Sequence, residues 1–342
     1  MFGSGDTGRP RRKTDNVRRR KLLLSYAPDW VVTIALAAAF FALDKVTGFK
    51  REFSVTDTSL RHPYAVHERV PNLALYMIAI VAPIVLQWVA NVFTIRSWWD
   101  AHNSTLGVIL GLSLTGAITQ FAKITVGRPR PDLISRCNPV EGTVDPTFGL
   151  SSAAICNQSS TYILEDGFRS FPSGHASLSF AGLGFLSFYL AGKMHLFDRR
   201  GHAAKAWIAL TPLAGASLVA ISRTMDYRHH WQDVLTGSIL GLVTTYFAYR
   251  QYYPSLASEH SHRPYSPRIK RDEATLPMHR PTPSADVMYS GASGHGASQY
   301  HDGSEEEVEL VDGTVRRGGP GPLEDVWKDG DERRKSPHDG AI

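Results

Sequence analysis

The chain has 342 residues, a formal charge of +5, 43% hydrophobic and 20% charged residues, and a mean hydropathy of −0.18. Two cysteines exclude a small disulfide-stapled scaffold, and no C-x-x-C pair or His/Cys cluster marks a zinc site. A mean near zero still admits a strongly apolar block between polar ends, so the position of the charges decides the class.

Eight Lys/Arg crowd between Arg9 and Lys21. This basic arm, residues 1–27, reads as a topogenic signal that stays cytoplasmic, with anionic lipid head groups as a second role. Its place beside a membrane span argues against nucleic acid as a partner. A cleaved signal peptide is not expected, because the basic region is too long and the first apolar run lacks a small-residue cleavage site.

Six runs with few or no charges follow: Trp30 to Phe49, Asn72 to Ile95, Asn103 to Ala122, Ala176 to Gly192, Ala206 to Ser222 and Val234 to Tyr249. The last five contain no Asp, Glu, Lys, Arg or His, and the first has none before Asp44. A spanning helix takes about 17–25 mostly apolar residues, a length the fourth to sixth runs reach when flanking residues join them. A buried helix of a soluble bundle keeps a polar stripe facing water, and the run from Asn72 to Ile95 has no such stripe. The expectation is an all-α, polytopic membrane protein with six transmembrane helices over residues 28–252. The remainder, 253–342, has too few apolar residues to build a core and is expected to be a disordered cytoplasmic tail. Ser266-Pro267, Thr282-Pro283 and Ser336-Pro337 in it are candidate phosphosites.

Loop charge gives the orientation. The basic arm and the loop holding Lys193, Arg199, Arg200 and Lys205 belong on the cytoplasmic side. Six spans then put both termini in the cytoplasm and the first, third and fifth loops outside the cell or in a lumen. The third loop, from Thr125 to Arg169, contains Cys137, Cys156 and the sequon Asn157-Gln158-Ser159. Disulfides and glycans both need the oxidising, non-cytosolic side. A Cys137–Cys156 bridge would close a loop of about 20 residues and contribute about 3 kcal/mol in the chain-entropy model. The second sequon, Asn103-Ser104-Thr105, falls at a cytoplasmic helix edge and should stay unmodified.

Three motifs collect on the non-cytoplasmic face. They are K-I-T-V-G-R-P-R-P (Lys123 to Pro131), F-P-S-G-H (Phe171 to His175) and S-R-T-M-D-Y-R-H-H-W-Q-D (Ser222 to Asp233). Ionisable residues at membrane edges are costly unless used or paired. Lys and Arg donors can stabilise the charge that redistributes over a transferring phosphoryl group, and arginine's planar fork matches two of its oxygens. Ser173-Gly174 before a helix offers backbone N–H groups as an anion site, with Gly174 allowing close approach. His229 and Asp233, at i,i+4, would share one helix face. Asp233 would accept a bond from one ring nitrogen and leave the other free to attack phosphorus. His175 would protonate the leaving oxygen. Taken singly, each motif also reads as something plainer: interfacial snorkelling for Lys123 and Arg130, a helix cap for P-S-G-H, a structural pair for His229 and Asp233.

Taken together the motifs resemble the type 2 phosphatidic acid phosphatase superfamily, whose pattern is K-x6-R-P, then P-S-G-H, then S-R-x5-H-x3-D. Lys123, Arg130 and Pro131, then Pro172 to His175, then Ser222, Arg223, His229 and Asp233 match every specified position. The resemblance implies a haloperoxidase-like helical core. It selects Arg130 over Arg128 and His229 over His230. It implies a phosphohistidine on His229, with His175 as acid and then base, and phosphate held by Lys123, Arg130, Ser173, Gly174 and Arg223. No cofactor or metal is implied. The first exposed loop, Phe53 to Tyr64 followed by Glu68-Arg69-Val70-Pro71, is most similar to the lipid phosphate phosphatase branch and within it to fungal diacylglycerol pyrophosphate phosphatases. The expected substrates are phosphatidic acid, lysophosphatidic acid or diacylglycerol pyrophosphate, in a vacuolar, other endomembrane or plasma membrane. The alternatives are a sphingoid-base or isoprenoid phosphate phosphatase, or a non-catalytic lipid-phosphate receptor or transporter on the same scaffold. Six spans disfavour a soluble haloperoxidase.

Overall fold

A computed structural model describes residues 11–198, 201–268 and 314–315. Arg199, Arg200, Thr282 and Ser336, used above for orientation and as phosphosites, lie outside the described residues. Helix α1, Arg11–Asp44, begins inside the expected basic arm and runs unbroken to Asp44, five residues short of the end of the first apolar run. Short helix α2, Asn72–Tyr76, continues through a π-type turn, Met77–Val81, into α3, Ala82–Phe93. Helix α4 is Trp98–Val126. Two short helices, α5 (Leu133–Cys137) and α6 (Thr161–Gly167), fold the third loop. Helices α7 (Gly174–Lys193), α8 (Ala203–Met225) and α9 (Trp231–Tyr252) complete the bundle. Among the described residues β-structure is limited to isolated bridges such as Phe53 with Ser151.

Among the described residues four segments are long and apolar enough to cross a bilayer: Arg20–Asp44, Asn72–Phe93, Trp98–Val126 and Ala203–Met225. The expected fourth and sixth spans, α7 and α9, have 20 and 22 residues, about 30 and 33 Å of helix, but are less apolar. The reason is what they bury. The inward side of α9 carries Asp233, Gly237, Ser238, Gly241, Thr244 and Thr245. Its outward side exposes Trp231, Leu235, Ile239, Val243 and Phe247, a stripe at i,i+4 spacing. This is the inverse of a helix in a water-soluble bundle, where the apolar stripe faces inward. Helix α7 is buried along nearly its whole length, with Ser177, Ser179, Ser187 and Tyr189 enclosed.

Small residues set the spacing of this pair. A Cβ on Gly241 would lie 2.3 Å from the Ser177 carbonyl oxygen, and one on Gly237 would lie 2.6 Å from that of Ser173. The backbones therefore touch, as membrane-helix interfaces rich in small residues allow. The core around them gathers Leu106, Phe185, Tyr189, Tyr249 and Tyr252.

The connecting loops at one end of the bundle form a second, smaller core of Phe53, Leu60, Leu133, Cys137 and Phe168. Cys137 and Cys156 are disulfide-bonded. Asp145 ties the first and third loops, accepting from Ser54 Oγ and Ser151 Oγ, both at 2.6 Å.

At the other end, buried Asp100 accepts from Lys193 Nζ at 2.7 Å, Tyr189 at 2.6 Å and Tyr253 at 3.0 Å. The tail boundary expected at residue 253 therefore falls too early. Tyr253 is buried, Lys193 also donates to the His262 carbonyl and Trp99 to that of Tyr265, and Arg268 grips both oxygens of Asp29 at 2.9 Å. Residues 253–268 pack because buried donors of the bundle need their carbonyls.

Gly241→Val forces β-branched bulk against the Ser177 carbonyl. Such overpacking costs about 1–3 kcal/mol, so the thermal midpoint of the purified protein in detergent should fall. An unchanged midpoint would show that the α7–α9 spacing is set elsewhere.

Candidate active site

The site is built where α4 ends, α7 begins, α8 ends and α9 begins. Lys123 is in the last turn of α4, where a cation complements the helix dipole. Its Nζ lies 3.2 Å from where a Cβ on Gly174 would sit, so a side chain there would push the ammonium back by a few tenths of an ångström. Among the described residues Lys123 makes no hydrogen bond or salt bridge. Ser173 caps α7, its Oγ accepting from Ala176 N, and the first N–H groups of the helix have no partner within it.

Arg130 is buried and pairs through NH2 with Asp166 Oδ1 at 2.7 Å. Asp166, on α6, also binds Arg136 at 2.9 Å and Arg228 at 3.3 Å. Burial pushes the Asp166 carboxyl up, but Arg130, Arg136, Lys123 and Arg228 outweigh it and hold it below the usual carboxylate range. Burial draws the Arg130 guanidinium down to about 10, which leaves it charged at neutral pH. The Nε atoms of Arg130, Arg223 and Arg228 are buried without a hydrogen-bond partner.

His229 precedes α9, and His230 is the helix cap. The Nδ1 of His229 lies 2.6 Å from the Ser170 carbonyl oxygen. A carbonyl only accepts, so the proton is on Nδ1 and Nε2 keeps its lone pair. The direct His229–Asp233 bond expected from sequence is not formed, since Nδ1 and Asp233 Oδ2 are 4.0 Å apart. Lying outside the helix, His229 is not held at the i,i+4 spacing of two helical residues. Asp233 instead accepts from Ser170 Oγ at 2.6 Å, Arg128 NH1 at 2.6 Å and the His230 backbone N–H at 3.0 Å. It thus positions Ser170, whose carbonyl orients the imidazole.

His175, in the first turn of α7, places Nε2 2.9 Å from the Val70 carbonyl oxygen, which fixes a proton on Nε2 by the same logic. Arg223, at the end of α8, reaches Glu68 Oε2 at 3.1 Å. All the residues selected from sequence, Lys123, Arg130, Ser173, Gly174, His175, Arg223, His229 and Asp233, converge here. Cys137, Cys156 and Asn157 lie in the neighbouring loop at the same end. Arg128, Ser170, Glu68, Asp166 and Arg228 were not selected. The sequence signal for Arg228 and Glu68 was that each is an ionisable residue within or beside a motif already in view.

Burial, then Arg130, Lys123, Arg223 and His175, depress the His229 imidazole well below its ordinary 6.5. In histidine-labelled protein, the His229 nitrogen shifts, assigned by loss in His229→Ala, should report a neutral ring at pH 6.5. The unfolded chain takes up this proton first, so the contribution of His229 to stability is present above pH 6.5 and declines as the pH falls below it. A ring half-protonated at 6.5 or above would contradict this environment.

The PAP2 superfamily matches residues 104–256. Probable diacylglycerol pyrophosphate phosphatase 1 of Schizosaccharomyces pombe is 38% identical over 240 residues, 69% of this chain and 84% of that protein. Lipid phosphate phosphatase 2 of Arabidopsis thaliana is 41% identical over 229 residues, 66% of this chain and 77% of that protein. Diacylglycerol pyrophosphate phosphatase 1 of Saccharomyces cerevisiae is 38% identical over 232 residues, 67% of this chain and 78% of that protein. No solved structure matches. With this coverage and the three motifs brought together at one end of the bundle, the chain belongs to the PAP2 superfamily.

Proposed function

We propose that the chain is a membrane-embedded lipid phosphate phosphatase that works through a phosphohistidine on His229. The observation that carries this reading is the bond from His229 Nδ1 to the Ser170 carbonyl, which leaves the Nε2 lone pair for phosphorus beside Lys123, Arg130, Arg223 and the start of α7. In the first step Nε2 forms the N–P bond, the P–O bond to the lipid breaks, and His175, entering the step as imidazolium with a second proton, gives one proton to the departing oxygen and becomes neutral. In the second, His175 takes a proton from water, whose oxygen displaces His229 and yields inorganic phosphate. The cations and the α7 N–H groups bind the phosphoryl oxygens throughout. The substrates are phosphatidic acid, lysophosphatidic acid or diacylglycerol pyrophosphate, in keeping with the names of the relatives.

The donor set favours chemistry without a metal. The carboxylates at the site are each paired with arginine, whereas magnesium takes hard oxygen ligands together with the substrate phosphates. Phosphate release from lipid micelles should persist in EDTA. His229→Ala should lower it by about 10³-fold or more. Full activity in that variant would overturn the nucleophile, and loss in EDTA restored by magnesium would overturn the metal-free reading.

Six spans are proposed, α7 and α9 joining the four apolar segments, with α9 turning its exposed stripe to lipid. The basic arm then sets both termini in the cytoplasm and the active site on the opposite side. Asn157 is exposed in the third loop and should carry a glycan, seen as a mobility shift abolished by Asn157→Gln. Asn103 is buried in α4, donating to the Trp99 carbonyl at 3.0 Å. A glycan at Asn103 instead would reverse the orientation.

A further inference from the structure

The first loop places a carboxylate inside the cationic site. Glu68 Oε1 lies 2.9 Å from Arg228 NH2, and Oε2 lies 3.1 Å from Arg223 NH2 and 3.9 Å from His175 Nε2. The loop backbone is pinned on both sides of this residue, before it at the Ala65 carbonyl, which accepts from Arg228 at 3.0 Å, and after it at Arg69 and Val70. Arg69 N–H donates to Asp226 at 2.9 Å, its guanidinium pairs with the same carboxylate, and the Val70 carbonyl meets His175 and Arg223. Glu68 therefore reaches in from a fixed frame, and its side chain can move without the loop moving. Arg228, 4% exposed, belongs to no phosphate-binding position of the motifs. Besides Glu68 it touches Asp166 at 3.3 Å, the Ala65 carbonyl at 3.0 Å and the Tyr64 ring face at 4.8 Å.

We infer that Glu68 and Arg228 form the subsite for the leaving group and set the preference between phosphate monoesters and diphosphates. This rests on the proposed role of His175, because the departing oxygen must come to the group that protonates it, and Glu68 stands beside that group. The two substrate types differ in what they bring there. When a monoester of diacylglycerol is cleaved, the P–O electron pair leaves on an alcohol oxygen, which takes the His175 proton and becomes an uncharged hydroxyl. When the terminal phosphoryl of diacylglycerol diphosphate is transferred, the pair leaves on an oxygen of the remaining phosphate, which already bears negative charge. That second phosphate is attracted by Arg228 and repelled by Glu68. A diphosphate must exchange one anion for another on Arg228, whereas a monoester leaves the Glu68–Arg228 pair intact. Such discrimination comes from a repulsive element as much as an attractive one.

The full-length protein in detergent–lipid micelles is assayed on diacylglycerol diphosphate and phosphatidic acid. Glu68→Gln keeps the shape, removes the competing charge and should raise the ratio of kcat/KM values in favour of the diphosphate by about tenfold. Arg228→Gln should shift the ratio the other way. Should Arg228→Gln fail to fold, Glu68→Gln decides the matter by itself. Equal effects on both substrates would reduce the pair to a scaffold, and a shift of Glu68→Gln toward the monoester would reverse its assigned role. His229→Ala assayed in parallel separates the two levels. Activity retained there on both lipids defeats the nucleophile reading, whereas an unmoved ratio with His229 essential defeats only the subsite.

Discussion

A carboxylate removed from water must be surrounded by donors, and Asp233 obtains its donors from three separate stretches of chain. Arg128 comes from the turn after α4, Ser170 from the loop that leads into α7, and the His230 N–H from the start of α9. The Asp233 backbone contributes as well, its carbonyl accepting from Ser173 N–H at 3.0 Å. One side chain and its own peptide thereby fix the distances among all three motifs. Without this junction the imidazole of His229, the cap of α7 and the arginines after α4 would be carried by independent loops. The geometry of the candidate site follows from satisfying a buried charge.

Much of this was legible in the residues. The uncharged runs mark the helices because a side chain in hydrocarbon must be apolar. The runs near Ala176 and Val234 looked short for a different reason: α7 and α9 direct serine, threonine and glycine toward each other, which dilutes their apolar character without removing it from the outer face. The motif side chains were legible because Lys, Arg and His at a membrane edge need a purpose. The orienting bond of His229 was not, because its partner is a backbone carbonyl and any residue has one. For the same reason the polar composition after Tyr253 concealed its packing, since Lys193 and Trp99 bind the main chain of residues 262 and 265. Glu68 was visible as a letter, but only the folded loop brings it to Arg223 and Arg228.

The two ends of the bundle solve the same electrostatic problem in opposite ways. Asp100 is enclosed by one ammonium and two phenols that satisfy it. At the catalytic end cations outnumber the carboxylates that face them, and three guanidinium Nε atoms stay unpaired. Closed networks of the first kind rigidify a fold, whereas an incomplete one is a standing demand for an anion.

Trp231, on the exposed stripe of α9, is two residues from His229, which is buried. With α9 as the proposed sixth span and His229 as the proposed nucleophile, so short a step from indole to imidazole would make the encounter between enzyme and lipid a two-dimensional one. On that proposal substrate would drift in sideways within the leaflet, and the dephosphorylated lipid would return to the same film while phosphate departs into water. Turnover would then be governed by the mole fraction of lipid phosphate in the surrounding membrane and by its lateral diffusion, with bulk concentration of little consequence.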